Sequence, residues 1–301
     1  MIVALLGAGR MGAFHAETLR GLDEVEDLRV WDQDPERRTV ETLGAALDGA
    51  GAVLIATPSA THAELIHICL DRGLPTFCEK PIALGLKETA AVVEHVARVD
   101  GVLQIGFQRR FDSEYIDAQR RIHDGGLGRV YSFYMAARDR TPPPDEYLPT
   151  SGGFFKDSHI HDFDAARWLF GQEVVQVYAA GASLVSQASA AAGDVDVTGI
   201  VLRLENGTLG VVTGGRHNPA GYDIRCEVFG SLDTIQIGQR APYRDFLERF
   251  AEAYRAEVAH FLALARGEAA NPCTAGDALA ALRIAEACGR SLKLGRPVKV
   301  A

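Results

Sequence analysis

The sequence contains no long hydrophobic run. Stretches such as Ala52–Ala56 fall far short of the ~20 apolar residues that span a bilayer, so no membrane partner is expected. Positive charge is in deficit: Lys and Arg total 31 against 40 Asp and Glu, a net charge of −9. That balance argues against nucleic acid as the main partner. Cysteine is scarce: Cys69, Cys78, Cys226, Cys273 and Cys288 are scattered, odd in number and form no C-x-x-C. Neither a disulfide framework nor a zinc ribbon is built that way, and the usage fits a reducing cytoplasm. The N-terminus lacks a basic n-region, and its first apolar run ends in glycines, which argues against a secretory leader. No internal repeat is present, and the one low-complexity stretch, Ala188–Ala192, reads as a loop. What is there is 47% hydrophobic and 24% charged over 301 residues, enough for two domains with real cores. The expectation is a cytoplasmic enzyme.

Up to about Gly106, compact β-type runs alternate with amphipathic stretches. Ile2–Leu6, Leu28–Trp31, Val53–Thr57, Thr76–Glu79 and Val102–Gly106 read as strands buried on both faces. Met11–Leu22, Thr61–Arg72 and Leu86–Val99 read as helices between them, giving an α/β doubly wound parallel sheet. The span from Asp32 to Val53 is too short for a helix, a strand and a second helix. One edge strand is therefore expected to be missing, with a helix over Glu36–Leu47 crossing directly to the next strand. Beyond Phe107 the pattern becomes α+β. Ser113–His123 and Ser158–Leu169 read as helices, and alternating strands follow from Val174. Val197–Leu204 and Thr208–Thr213 flank Asn206-Gly207, a strong hairpin signal, and Tyr222–Phe229 and Thr234–Ile237 continue a largely antiparallel sheet. Leu247–Ala265 and Ala275–Leu292 close the chain as helices. The domains are placed at residues 1–118 and 119–301.

Gly7-Ala8-Gly9-Arg10-Met11-Gly12 is a G-x-G-x-x-G that follows an expected strand and opens an expected helix. Gly7 permits the tight turn, Gly9 lets the backbone approach a pyrophosphate, and Gly12 lets the helix pack on the strand. The helix N-terminus offers unpaired N–H groups and partial positive charge to the phosphates. Asp32 ends the second strand twenty residues past Gly12, where a ribose-binding acid belongs. A dinucleotide is expected, and the acid favours NAD over NADP. Arg37 and Arg38, close by in sequence, read as a solvated helix face.

Cys78-Glu79-Lys80-Pro81 lies at the carboxyl edge of its strand, where open α/β sheets bind ligands, so Lys80 is expected to face the cofactor crevice. If Asp157-Ser158-His159-Ile160-His161-Asp162-Phe163-Asp164 opens a helix, Asp157, His161 and Asp164 share one face. A carboxylate beside a histidine there is a plausible acid/base pair. The competing readings are Asp157 as a plain helix cap and the cluster as a metal site. His159 and His161 diverge on a helix and no cysteine is near, so no metal is expected. Arg109, at the domain junction, reads either as a substrate contact or as half of an inter-domain salt bridge. Asp139 precedes the rigid Pro142-Pro143-Pro144 loop, and Tyr222 reads as a substrate contact or a sheet tyrosine.

Taken together, G-A-G-R-M-G, C-E-K-P-I at 78–82 and G-F-Q-R-R-F-D at 106–112 resemble the Gfo/Idh/MocA oxidoreductases. P-P-P-D-E-Y, S-G-G-F-F-K-D and I-H-D-F-D, between Arg138 and Gly171, look closest to the inositol 2-dehydrogenase branch. The resemblance covers nearly the whole chain. It implies a Rossmann domain followed by a domain whose open sheet face supports homo-oligomers, a tetramer favoured. It matches Lys80, Asp157 and His161 to the family's catalytic residues, and Gly7, Gly9, Gly12 and Asp32 to its nucleotide-binding positions. The expected cofactor side also takes in Arg10, Met11, Thr57, Pro58, Glu79 and Lys80. Arg109, Asp139 and Tyr222 are assigned to a small polyhydroxylated substrate. Ser158-His159 departs from the Met-Thr common in that branch, which bears on the pocket beside the catalytic helix. The implied activity is NAD-dependent oxidation of a ring secondary alcohol to the ketone, with myo-inositol as the single best substrate. The alternatives are an NADP-linked sugar or keto-sugar reductase and a non-catalytic dinucleotide-sensing protein.

Overall fold

In the computed structural model, which describes residues 1–238 and 243–301, the first apolar runs form five parallel strands. The elements in order are β1 (Ile2–Leu6), α1 (Arg10–Arg20), β2 (Asp27–Trp31), α2 (Leu43–Leu47), β3 (Ala52–Ile55), α3 (His62–Asp71), β4 (Thr76–Glu79), α4 (Leu86–Val99) and β5 (Leu103–Gly106). The strand order is β2-β1-β3-β4-β5. Val3, Leu5, Val53, Leu54, Ile55 and Phe77 are fully buried, as strands covered on both faces must be.

Among the described residues no further strand continues the sheet beyond β2, so the missing edge strand is borne out. The helix expected over Glu36–Leu47 is not; only α2 forms. The residues before it are diverted by Thr39, whose N–H donates to Val30 O (2.8 Å) and whose Oγ1 accepts from Val30 N (2.9 Å). A β-branched residue thus satisfies the edge of β2 without a strand, and the turn that brings it there leaves no room for a longer helix.

The chain continues through α5 (Ser113–His123), β6 (Val130–Arg138), α6 (Phe154–Asp157), α7 (Ile160–Phe170), β7 (Val174–Ala182), α8 (Gln187–Ala191), β8 (Val197–Leu204), β9 (Leu209–Gly215), β10 (Asp223–Gly230), β11 (Thr234–Ile237), α9 (Phe246–Ala265), α10 (Ala275–Leu294) and β12 (Val298–Lys299). Seven strands form a sheet in the order β11-β10-β6-β9-β8-β7-β12. Its described pairings are antiparallel except β6 with β9. The β8–β9 hairpin turns at Asn206-Gly207 as expected, with Gly207 at φ 89°. On one face Phe133, Met135, Ile200, Leu202, Val212 and Val228 are buried. On the other, paired register aligns Tyr178, Val201 and Val211, all exposed.

Three expectations need correction here. The helix expected from Ser158 starts at Ile160, after a separate short helix that ends at Asp157. Ala188–Ala192 is mostly helical, with Ser186 Oγ capping α8 through Ala188 N (3.1 Å). The central strand β6 had no counterpart among the expected strands.

The chain divides into two compact units, Met1–Phe111 with Glu252–Leu279, and Asp112–Ala251 with Ala280–Ala301. The sequence reading instead placed one division at 118. The second part of α9 explains the return: Val258, Phe261, Leu262 and Leu264 pack with Val3, Leu5, Leu19, Leu54 and Phe77. A kink at Phe250 (φ −118°, ψ 17°) precedes this segment. Just beyond α9, Cys273 O accepts from Ile105 N (2.9 Å) and Asn271 Nδ2 donates to Leu103 O (2.7 Å). The outer edge of β5 is thereby covered.

Candidate functional site

In the first unit, the turns after β1, β3 and β4 emerge at the carboxyl ends of neighbouring strands. After β1, Gly7 sits at φ 93°, and a Cβ there would lie 2.7 Å from Ala56 and Thr57 backbone atoms. A Cβ on Gly12 would lie 2.0 Å from Gly7 O. Both glycines are therefore required by the protein's own packing. Gly9 is different. It is the N-cap of α1, yet a Cβ there would meet nothing within 4 Å among the described residues, and no described side chain caps the helix. The cradle that a Cβ would fill, over a helix N-terminus with uncapped donors, fits the pyrophosphate of a dinucleotide.

Asp32 fastens this loop. Its Oδ2 accepts from Ala8 N (2.6 Å) and its Oδ1 from Asp34 N (2.8 Å), leaving further lone pairs on each oxygen for ribose hydroxyls. Arg37 and Arg38 are ion-paired with Asp34 and Glu41. Arg10 and Met11 form the first helical positions of α1.

The turn after β3 carries Thr57 and Pro58, with Thr61 Oγ1 donating to Thr57 Oγ1 (2.8 Å). Next to it, the ring of His62 lies between Thr57 O (2.7 Å) and Pro81 O (2.8 Å). His62, 1% exposed, so ties the Thr57 turn to the Lys80–Pro81 turn, whose peptide bond is cis. Burial pushes its pKa below the usual histidine range, against the pull of the two carbonyls and Glu79. The neutral ring has one N–H and donates to one carbonyl at a time. This residue was missed from the sequence; its one signal is its place just past a strand's carboxyl end. Lys80 is half-buried at the end of β4. Glu79 turns inward, 8% exposed, with Oε1 2.7 Å from His15 Nε2. Arg109 follows β5 and is 3% exposed, while Arg110 bonds Pro272 O and pairs with Asp277 within this unit.

In the second unit, Asp157 and His161 do not share a helix. Asp157 ends α6, and the chain breaks at Ser158–His159 before α7 begins, so the one-face spacing argument does not apply. His159 explains the break. It is fully buried, with Nδ1 2.7 Å from Asp162 Oδ2 and Nε2 2.7 Å from Thr198 Oγ1. His161, in the first turn of α7, stays half-buried, whereas Asp164 lies in the interior.

Asp157 is held from two sides. Tyr147 Oη donates to Oδ1 (2.7 Å) and Arg216 Nη1 donates to Oδ2 (3.0 Å). Burial and the Asp157 charge raise the Tyr147 pKa above the ordinary phenol, so the hydroxyl keeps its proton and donates. Neither Tyr147 nor Arg216 was singled out from the sequence, although Tyr147 sits in the quoted P-P-P-D-E-Y. Asp139 follows β6, its N–H donating to Gly215 O (2.9 Å). Tyr222, 8% exposed, meets Phe246 edge-on and pairs through its backbone with Tyr243. Among the described residues no helix is long and apolar enough to cross a membrane.

Residues 1–107 match the oxidoreductase-family model for an NAD-binding Rossmann fold, and 115–236 match the GFO/IDH/MocA C-terminal domain. A myo-inositol dehydrogenase of Streptomyces leeuwenhoekii is 39% identical, covering 98% of each chain. The inositol 2-dehydrogenase of Rhizobium meliloti is 36% identical, covering 99% of this chain and 98% of its own. Among solved structures, a myo-inositol dehydrogenase from Corynebacterium glutamicum superposes with a TM-score of 0.92 at 31% identity, over 99% of this chain and 98% of that one. A scyllo-inositol dehydrogenase from Lactobacillus casei, solved with bound NAD(H) and scyllo-inositol, gives 0.90 at 25% identity over 99% and 98%.

Proposed function

Because the chain belongs to the Gfo/Idh/MocA oxidoreductases and binds NAD through its Rossmann unit, we propose that it oxidises a ring secondary alcohol of a cyclitol to the ketone. Myo-inositol is the proposed substrate, the compound named for the Streptomyces leeuwenhoekii relative. The observation that carries this reading is that the Gly9 cradle, Asp32 and the Lys80 turn all lie at the carboxyl ends of strands of one parallel sheet. Bound NAD supplies the hydride acceptor at its nicotinamide ring. The hydroxyl proton leaves to His161, whose imidazole exchanges protons near neutrality. Asp157, held in place by Tyr147 and Arg216, steadies the imidazolium that results. The Lys80 ammonium hydrogen-bonds the reacting oxygen and stabilises alkoxide character as it develops. Arg109, Asp139 and Tyr222 are assigned to the substrate's remaining hydroxyls.

NAD rather than NADP is supported by Asp32, which would repel a 2′-phosphate, and by Arg37 and Arg38, each paired with a carboxylate of its own. We further read the protein as a cytoplasmic homo-oligomer, a tetramer favoured. The exposed row of Tyr178, Val201 and Val211 supports assembly, and five buried, free cysteines support a reducing compartment. Light scattering on Val201→Glu tests the assembly. NAD reduction with a panel of cyclitols and sugars tests the activity: Lys80→Ala and His161→Ala should each lose turnover by about 100-fold or more. Parent-like rates in either variant would overturn its assignment.

A further inference from the structure

Among the described residues Arg216 is one of the largest fully buried side chains, 2% exposed, and stands just past β9. A guanidinium in that position must be paired to be tolerated. Its partners are the two ends of α6 and Asp194, which itself bonds that helix. Nη1 donates to Asp157 at the end of α6, the ring of Phe154 at its start lies 4.7 Å under the guanidinium, and Asp194 Oδ2 is 3.7 Å from Nη2. Asp194 in turn accepts from Phe154 N through Oδ1 (3.0 Å). One cation thus grips both ends of the helix that presents Asp157, and its own backbone N–H is anchored on Asp196 O (2.9 Å).

A carboxylate at a helix C-terminus faces the negative end of the backbone dipoles, so its charge needs support from elsewhere. Arg216 is that support. Tyr147 on Oδ1 and Arg216 on Oδ2 also fix the plane of the carboxylate. With a donor on each oxygen, one of them a guanidinium, the Asp157 carboxylate is held in one orientation. We infer that Arg216 is a positioning residue for the reaction: through Asp157 it sets where the negative charge beside the base stands, without touching substrate. The inference rests on the reading of Asp157 as the partner of His161.

A double-mutant cycle tests it, with kcat and KM for the polyol at saturating NAD and the NAD dissociation constant measured on each variant. Arg216→Met is expected to lower kcat about 100-fold while NAD binding stays within about twofold. In an Asp157→Asn background the same change should lower kcat less than about threefold, because the group through which Arg216 acts has lost its charge. Arg216→Lys keeps a buried cation if the Met variant fails to fold; it should lose kcat about tenfold with KM little changed, since the planar fork is gone. Equal fold-losses from removing the guanidinium in both backgrounds would mark a general structural role and overturn the inference alone. Parent-like kcat in Asp157→Asn would overturn the reading of Asp157, and the inference with it.

Discussion

Gly9 and Gly12 lie in one loop but should fail for different reasons when a methyl group is added. In Gly12→Ala the new Cβ would stand 2.0 Å from Gly7 O, about 1 Å inside the 3.0 Å that real Cβ contacts keep. The obstructing atom is backbone, so no rotamer change relieves it. Overpacking of this kind costs roughly 1–3 kcal/mol, against a gain of about 1 kcal/mol from replacing a helical glycine. A net loss of about 1 kcal/mol would lower the melting temperature by roughly 2–4 °C. In Gly9→Ala the Cβ meets no described atom within 4 Å, and φ is −68°. Stability should then change by less than about 1 kcal/mol, the scale of an N-cap substitution. The methyl would instead occupy the ground a pyrophosphate needs, and NAD affinity should fall about 10- to 100-fold, or roughly 1.4–2.7 kcal/mol. Thermal melts without nucleotide and NADH fluorescence titrations separate the two effects. If Gly9→Ala binds NADH as tightly as the parent, the pyrophosphate does not cross Gly9 and the assignment of the cradle is wrong.

Other outcomes follow from the same geometry. Asp32→Asn should weaken NAD binding about tenfold and narrow the preference for NAD over NADP; an unchanged ratio of kcat/KM for the two cofactors would count against Asp32 as the ribose acid. Burial lowers the pKa of His62 and His67 from 6.5, so the unfolded chain binds more protons as pH falls through that value. Stability should therefore decline below pH 6.5 and level off once the folded-state values are passed. Urea midpoints at pH 7.5 and 5.5 check this, His62→Gln should reduce the slope, and equal midpoints would refute it. Tyr147→Phe removes one hydrogen bond from Asp157; kcat should fall about three- to tenfold with little change in melting temperature, on the scale of one net hydrogen bond.

The parallel half of the fold was legible because buried strands read as short apolar runs, and β1, β4 and α4 match their expected limits. Where the reading slipped, a tertiary contact outweighed a local pattern. Thr39 turned back onto Val30 and cut short a helix that the intervening residues allowed. His159 was drawn inward by Asp162 and Thr198, so the expected helix starts at Ile160 instead of Ser158 and Asp157 stands on a separate short one. The strand β6 escaped notice although its V-Y-S-F-Y-M run is rich in β-forming residues, a signal that was present and unread. Of the residues proposed for the reaction, Lys80, Asp157 and His161 were reachable from motif and position. Arg216 and His62 were not, because their significance lies in partners 59 and 19 residues away.

The return of residues 252–279 to the first unit also sets a timetable for synthesis. When Phe111 leaves the ribosome, the core around Val3, Leu54 and Phe77 still lacks Val258, Phe261 and Leu262. Each such side chain is worth roughly 1.5–3 kcal/mol when buried, so the shortfall is of the order of a domain's whole stability. At ordinary translation rates the missing segment arrives on the order of ten seconds later. Until then, β5 presents Leu103 and Ile105 as an open strand edge, awaiting Asn271 and Cys273. The nascent Rossmann half is therefore a natural client for chaperones, and a fragment ending at Phe111 should aggregate unless residues 252–279 are supplied in trans.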